Sequence, residues 1–231
     1  MLNAVMVVLP TYNEVENIEE ILERILALGE TFEALVIDDD SPDGTGKMVA
    51  ALAARNDRLH LIKRKDERGR GLACAVGYRQ ALSLGAEAIV EMDADFSHIP
   101  LYIPDMLQAL EVYDIVLGSR FISGGRDCRG GFRRRLLARV ANWFARARLA
   151  LPYRDCTTGF RAFKRDALET VEPESLSSRG PEVLLEVLMK AHRAGLAVGE
   201  IPILLKDRRF GGEGPGLKTV VATAIRTWNM R

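Results

Sequence analysis

The chain has 231 residues, 48% of them apolar, and its 32 Lys/Arg are balanced by 32 Asp/Glu. This predicts a packed core of ordinary domain size and excludes disorder and disulfide-scaffold classes. Zero net charge argues against a nucleic-acid partner, and three cysteines without a CxxC pair argue for reduced thiols in a cytoplasmic protein and against a zinc site.

In chain order, β-branched runs alternate with helical patterns: AVMVVL, VENIEEILERILAL, FEALVID, GTGKMVAALAARN, LHLIKR, GLACAVGYRQALSLG, AIVEMD, a short helix, and DIVLGS. Such alternation predicts parallel βαβ units with helices on both faces and ligands outside the carboxyl ends of the strands. The first strand exit lacks GxGxxG, and GRGLA at 69–73 is a misplaced fragment of it, which argues against hydride transfer. MLNAVMVVLP is short and has no basic leader, and no apolar run approaches about 18 residues, so neither a signal peptide nor a membrane span is expected.

After residue 120 the alternation fails. A Gly/Arg-rich loop leads to a helix expected over 133–151, then RDCTTGFRAF, the helical PEVLLEVLMKAHRAG, an apolar strand AVGEIPILL, a Gly-rich loop and a last helix. Charge changes with it: residues 1–119 carry 10 Lys/Arg against 21 Asp/Glu, whereas residues 120–165 carry 13 against 2. A basic middle after an acidic front predicts an anionic partner. On a helical wheel Leu136, Val140, Trp143, Phe144, Ala147 and Leu151 share one face, and Arg135, Arg139, Asn142 and Arg146 the other. Two readings stand: a core face with a solvated face, or a helix lying at the headgroup level of an anionic membrane.

Asp93 and Asp95, two apart at a strand end, point to one face if the strand continues through them. Two converging carboxylates raise each other's pKa unless a cation separates them, and Mg²⁺ or Mn²⁺ suits one or two carboxylates plus substrate phosphates. The simpler reading is an N-cap pair. Asp38, Asp39 and Asp40 at the neighbouring exit make a poor anion site but a good acceptor of nucleoside hydroxyls and ring N–H groups. SPDGT and PTYNE also read as plain turns, and His98 as a loop-packing residue.

Taken together, VVLPTYNE, VIDDDSPDGT, GLACAVGYRQAL, EMDADFSHIP, VLGSRF and GEIPILLKDR resemble, in order, glycosyltransferase family 2, and within it the polyprenol-phosphate (dolichol-phosphate) mannose synthases. The resemblance implies an α/β fold of GT-A type: a Rossmann-like, mostly parallel sheet with helices on both faces. It implies one domain over 1–231, with a nucleotide-sugar half (1–119) and an acceptor half (120–231). Metal-dependent, inverting transfer of mannose from GDP-mannose to a polyprenyl monophosphate is the implied activity.

By position the resemblance carries donor binding onto Pro10, Tyr12, Glu14, Ile37, Asp39, Asp93, Ala94, Asp95, Arg120, Arg208 and Lys218. Metal binding falls to Asp93, Asp95 and Ser97, which stands where some relatives have Gln. Catalytic roles fall to Asp95, Arg120 and Arg208, and acceptor or membrane contact to Arg134, Arg135, Arg139 and Trp143. The sequence departs from the family at DRRFGGEGPGLK, which lacks a Ser-Lys pair, and at GPEVLLE, which keeps Gly180 and Glu186 but loses an aromatic and a Gln. The absence of a membrane-spanning tail implies peripheral attachment on the cytoplasmic face or a separate membrane-anchoring protein. Rival readings are a UDP-sugar donor such as UDP-glucose, a glycan-hydroxyl acceptor with Glu182 or Glu186 as base, and an inactive nucleotide-sugar-binding subunit.

Overall fold

The computed structural model describes residues 4–65, 67–210 and 217–229, without the side chains of 217–221 and 229. The first half is an uninterrupted βα alternation: β1 (Val5–Thr11), α1 (Val15–Leu26), β2 (Phe32–Asp38), α2 (Thr45–Ala53), β3 (Leu59–Lys63), α3 (Arg70–Ser83), β4 (Ala88–Glu91), α4 (Ile103–Ala109) and β5 (Ile115–Ser119). Alternate strand residues serve opposite faces. Val5, Val7 and Leu9 of β1 pack with Ile18, Ile21, Leu22 and Ile25 of α1, whereas Met6 and Val8 pack with Ala73, Cys74 and Tyr78 of α3. At Gly77 a Cβ would lie 2.4 Å from Val8 Cγ1, so α3 owes its close approach to the sheet to that glycine.

The second half supplies β6 (Arg126–Asp127), α5 (Phe132–Leu149), β7 (Arg161–Lys164), α6 (Arg165–Val171), α7 (Val183–Arg193), β8 (Val198–Pro202), β9 (Leu204–Leu205) and α8 (Leu217–Asn229). The seven-stranded sheet has the order β3-β2-β1-β4-β7-β5-β8, and only β7 runs antiparallel to its neighbours. The expected mostly parallel sheet with helices on both faces is therefore present, and β7 and β8 belong to it. AVGEIPILL is not one strand. Pro202, without an N–H, ends β8, and Leu204–Leu205 pairs instead with β6.

Helix α5 corrects the reading of a core-facing apolar stripe. Leu136, Val140 and Trp143 are 48%, 51% and 66% exposed, and the buried positions are Asn142 and Ala145. The inward face is chosen by backbone demand rather than hydrophobicity. Asn142 Nδ2 donates to the Arg154 carbonyl at 2.6 Å, and its Oδ1 accepts the Cys156 amide at 2.9 Å. Replacing it leaves two inner backbone groups unpaired. Asn142→Ala is expected to cost about 1–3 kcal/mol in denaturant unfolding; a loss under about 0.5 kcal/mol would contradict this anchoring role.

Candidate active site

The carboxyl ends of β1, β2, β4 and β5 open on one cleft of about 450 Å³. Of the expected donor residues, Pro10, Tyr12, Glu14, Asp39, Asp93, Ala94, Asp95, Arg120 and Arg208 line it, as do Ser97 and Arg134. Ile37 does not: its side chain is fully buried among the core residues under α3. The side chain of Lys218 and the segment 211–216 lie outside the described residues.

Much of SPDGT builds the frame. Asp38 accepts the Ser41 hydroxyl at 2.5 Å, and Asp43 accepts the amides of Thr45 at 2.9 Å and Val15 at 3.0 Å. Asp39 is the one turned to the cleft, held by Arg64 and by the Gly69 amide at 2.9 Å. Tyr12 stands beside it, its ring under the Arg68 guanidinium at 4.6 Å and its hydroxyl accepting from Arg68 at 2.8 Å. Carboxylate, backbone amides and a half-exposed aromatic together suit a nucleoside.

Asp93 and Asp95 do meet the cleft, but each already faces an arginine. Asp93 pairs with Arg70, whose other end nitrogen bonds Glu91 at 2.8 Å; Glu91 is fully buried and also accepts from Tyr78. Burial alone would raise the Asp93 pKa, yet the Arg70 guanidinium holds it well below the usual carboxylate range. Asp95 accepts the Ser97 amide and hydroxyl at 2.9 and 2.5 Å on one oxygen and Arg208 Nε at 2.8 Å on the other. Among the described residues no group of three His, Cys, Asp or Glu is placed to hold a metal ion by itself. Asp95 with Ser97, and Asp93 behind, is therefore a partial oxygen shell. A hard divalent ion completed by substrate phosphates fits such a donor set. Glu14 lies near enough to feel both aspartates, and burial above all pushes its carboxyl up to about 7.

His98 packs as expected, stacked on Phe160 at 5.1 Å. Burial holds its pKa below the ordinary imidazole value, so the neutral ring accepts the Asp93 amide on Nδ1 at 3.0 Å. The 3.8 Å approach of the same nitrogen to Asp93 Oδ2 is accordingly not an ion pair.

The opposite wall is basic. Arg120 is gripped by Asp155 through Nε and Nη2, each at 2.6 Å, with Thr157 accepting a further bond at 2.8 Å. Asp155 is itself fully buried, and Glu200 accepts its amide at 3.0 Å. Arg129, paired with Asp127 at 2.6 Å, and Arg134 also reach the cleft. The other expected acceptor residues do not line it. Arg135 donates to the Arg129 carbonyl at 3.0 Å, Arg139 lies over Phe121 at 5.9 Å, and Trp143 faces outward. Nor do Glu182 and Glu186 serve as a base there: Glu182 pairs with Arg226, and Glu186 accepts the Ser177 and Ser178 amides at 2.8 Å.

Arg70, Arg129 and Asp155 escaped the sequence reading. GRGLA was legible only as a broken nucleotide motif, whereas an arginine opening a helix beside acidic strand ends was the available signal. Asp155 sits 35 residues from Arg120 and left no local trace.

Glu14 yields a pH prediction. With a folded-state pKa of about 7 against an ordinary value near 4.5, its contribution to stability is present below about pH 4.5 and lost as pH rises through 7. The melting temperature of the metal-free protein, taken relative to Glu14→Gln, is expected to fall between pH 5 and 8; parallel curves would remove Glu14 as the cause.

Comparison with known proteins agrees with this architecture. The glycosyl transferase family 2 model matches residues 6–172. An undecaprenyl-phosphate mannosyltransferase of Micrococcus luteus is 33% identical over 207 residues, covering 90% of this chain and 85% of that protein. A polyprenol monophosphomannose synthase of Mycolicibacterium smegmatis is 36% identical over 208 residues, covering 89% and 78%. Among solved structures, glucosyl-3-phosphoglycerate synthase from Mycobacterium tuberculosis, in complex with Mn²⁺, UDP-glucose and phosphoglyceric acid, superposes with a TM-score of 0.69 at 21% identity, covering 99% of this chain and 81% of the other, which shows the fold. This chain belongs to glycosyl transferase family 2 and is a glycosyltransferase.

Proposed function

We propose that this enzyme transfers mannose from GDP-mannose to a polyprenyl monophosphate, with inversion, while lying peripherally on the cytoplasmic face of a membrane. One observation carries the reading. Among the described residues, all carboxylates lining the cleft (Glu14, Asp39, Asp93, Asp95) come from the β1, β2 and β4 exits, and the acceptor wall presents arginines without a carboxylate base. A sugar hydroxyl would need such a base. A phosphate monoester, with a second pKa of about 6, is already largely ionised near pH 7 and needs none. The similarity to two polyprenyl-type mannosyltransferases supports the same acceptor and sugar.

In this mechanism a phosphate oxygen of the lipid attacks the anomeric carbon as the nucleoside diphosphate departs from the opposite face. Asp39 and Tyr12 hold the nucleoside. Arg120, immobilised by Asp155, presents fixed positive charge to the phosphates, and Arg208 adds a second guanidinium. Mg²⁺ or Mn²⁺ held by Asp95 and Ser97, with Asp93 beside them, would supply Lewis-acid neutralisation of the leaving diphosphate.

Membrane contact rests on α5 and α8. Phe132, Leu136, Val140 and Trp143 on α5 and Ile225 and Trp228 on α8 are all exposed, and Phe144 stacks on Trp228 at 6.3 Å. Arginines flank this apolar surface, and among the described residues no helix is long and apolar enough to cross a bilayer. That combination suits an interfacial helix pair on anionic lipid.

The decisive assay offers radiolabelled GDP-mannose and, in parallel, UDP-glucose to a short polyprenyl phosphate, with and without Mg²⁺ or Mn²⁺. Metal-dependent mannolipid is expected, with a loss of at least about a hundredfold in Asp95→Ala. Glucolipid alone would overturn the donor, and donor binding without any product would point to an inactive subunit. In vesicle sedimentation, joint replacement of Leu136, Val140 and Trp143 by Ser is expected to weaken binding to anionic vesicles by about tenfold or more. Unchanged binding would direct this face to a protein instead.

A further inference from the structure

The loop after β9 runs between the two walls, and consecutive side chains serve opposite sides. Arg208 turns to Asp95 on the donor side. Asp207 turns the other way, accepting the Gly130 amide at 2.7 Å on one oxygen and Arg134 Nη1 at 3.0 Å on the other. A backbone N–H and a guanidinium converging on one anion is an oxyanion cradle. It lies where α5 begins, and the first turn of that helix has no acidic residue of its own. Asp207 is thus the negative charge at this helix start.

Resting on the phosphate-acceptor reading above, we propose that Asp207 is an occluding residue of the acceptor site: its carboxylate occupies the cradle that takes the acceptor's phosphate monoester, and the incoming phosphate must displace it. Three features separate this pair from the structural ones. Arg134 and Asp207 are 38% and 53% exposed, whereas Arg120 and Asp155 are 7% and 0% exposed. Arg134 lines the cleft and Asp207 does not, so the guanidinium becomes available there once the carboxylate swings outward. The backbone beneath is fixed, with the Lys206 amide on the Ser97 carbonyl at 3.1 Å and the Arg209 amide on the Asp95 carbonyl at 3.0 Å. Displacement therefore needs only a side-chain rotation.

The consequence is a threshold that an occupant must exceed. A dianionic monoester outcompetes a monoanionic carboxylate for two donors, whereas a neutral hydroxyl does not, and a singly charged diester gains little. Displacing Asp207 lowers the affinity of every occupant of the cradle by the same factor, so occupancy is left to the ligand that binds the two donors most strongly, the dianion.

The test is a gain of affinity, which a purely structural role for Asp207 would not give. In Asp207→Asn the charge is gone while an oxygen remains for the Gly130 amide. KM for a short polyprenyl phosphate, and the dissociation constant of inorganic phosphate read from the Gly130 amide shift by NMR, are both expected to fall about two- to fivefold, the worth of an exposed pair. KM for the sugar nucleotide should stay unchanged, and in an Arg134→Gln background the second substitution should bring no gain. Equal or weaker phosphate affinity in Asp207→Asn, or a gain that survives Arg134→Gln, overturns the cradle. Transfer to lipid with no gain sinks the cradle and leaves the acceptor reading standing. A gain for inorganic phosphate in an enzyme that makes no lipid product does the reverse.

Discussion

Among the described residues five arginines reach into one cleft, and a folded chain can hold them there only if each is met by a carboxylate. Bare guanidiniums at that density would repel one another and pay desolvation without return. Each has its partner: Arg70 with Asp93 and Glu91, Arg120 with Asp155, Arg129 with Asp127, Arg134 with Asp207, Arg208 with Asp95. The pairs are graded in depth. Glu91 and Asp155 are fully buried, so their arginines are fixed to the fold. Arg134 and Arg208 are more than a third exposed and each pairs with one carboxylate among the described residues, so they are the freest to exchange partners. Depth divides the cleft into a rigid floor and an exchangeable rim.

That division explains the tolerance of so many charges in the interior. Arg161, wholly buried, spends its guanidinium on the carbonyls of Cys156, Thr158 and Leu184 and so stiffens the loop that carries Asp155. Asn142 grips the same loop from α5 through Arg154 and Cys156. The sheet, the outward-facing helix and the floor arginine are thereby joined through a few residues around Asp155.

What the sequence disclosed follows the range of the interactions. The first half was readable because each βα unit carries its own period and turn, and acidic strand exits in such a sheet point to its ligand edge. The second half was not, because β6 and β9 are two residues long and β7 pairs with strands far from it in sequence. The helical wheel of α5 set Asn142 opposite Leu136, Val140 and Trp143 and could not say which side is inward. That choice was made by two loop groups needing partners, 12 and 14 residues downstream of Asn142. In the site, the carboxylates at strand ends were found, and Arg120, Arg134 and Arg208 came through the family resemblance, but Arg70 and Arg129 were not found. Ile37 is the converse case, a position matched by motif whose side chain belongs to the core.

The reversed strand β7 is what allows acid and base to meet at one edge. In a parallel sheet each strand leaves at the ligand edge, so the residues placed there follow their strand. Because β7 runs backwards between β4 and β5, the edge receives the residues that precede it. Its first residue, Arg161, is in register with Glu91 at the end of β4. The loop before it therefore arrives beside the aspartates and brings Asp155, Thr157, Thr158 and Gly159 to the arginine at the exit of β5. A parallel β7 would carry that loop to the far side of the sheet and leave Arg120 buried without a counter-charge. The acidic strand exits and the basic wall are thus brought face to face by the direction of one four-residue strand.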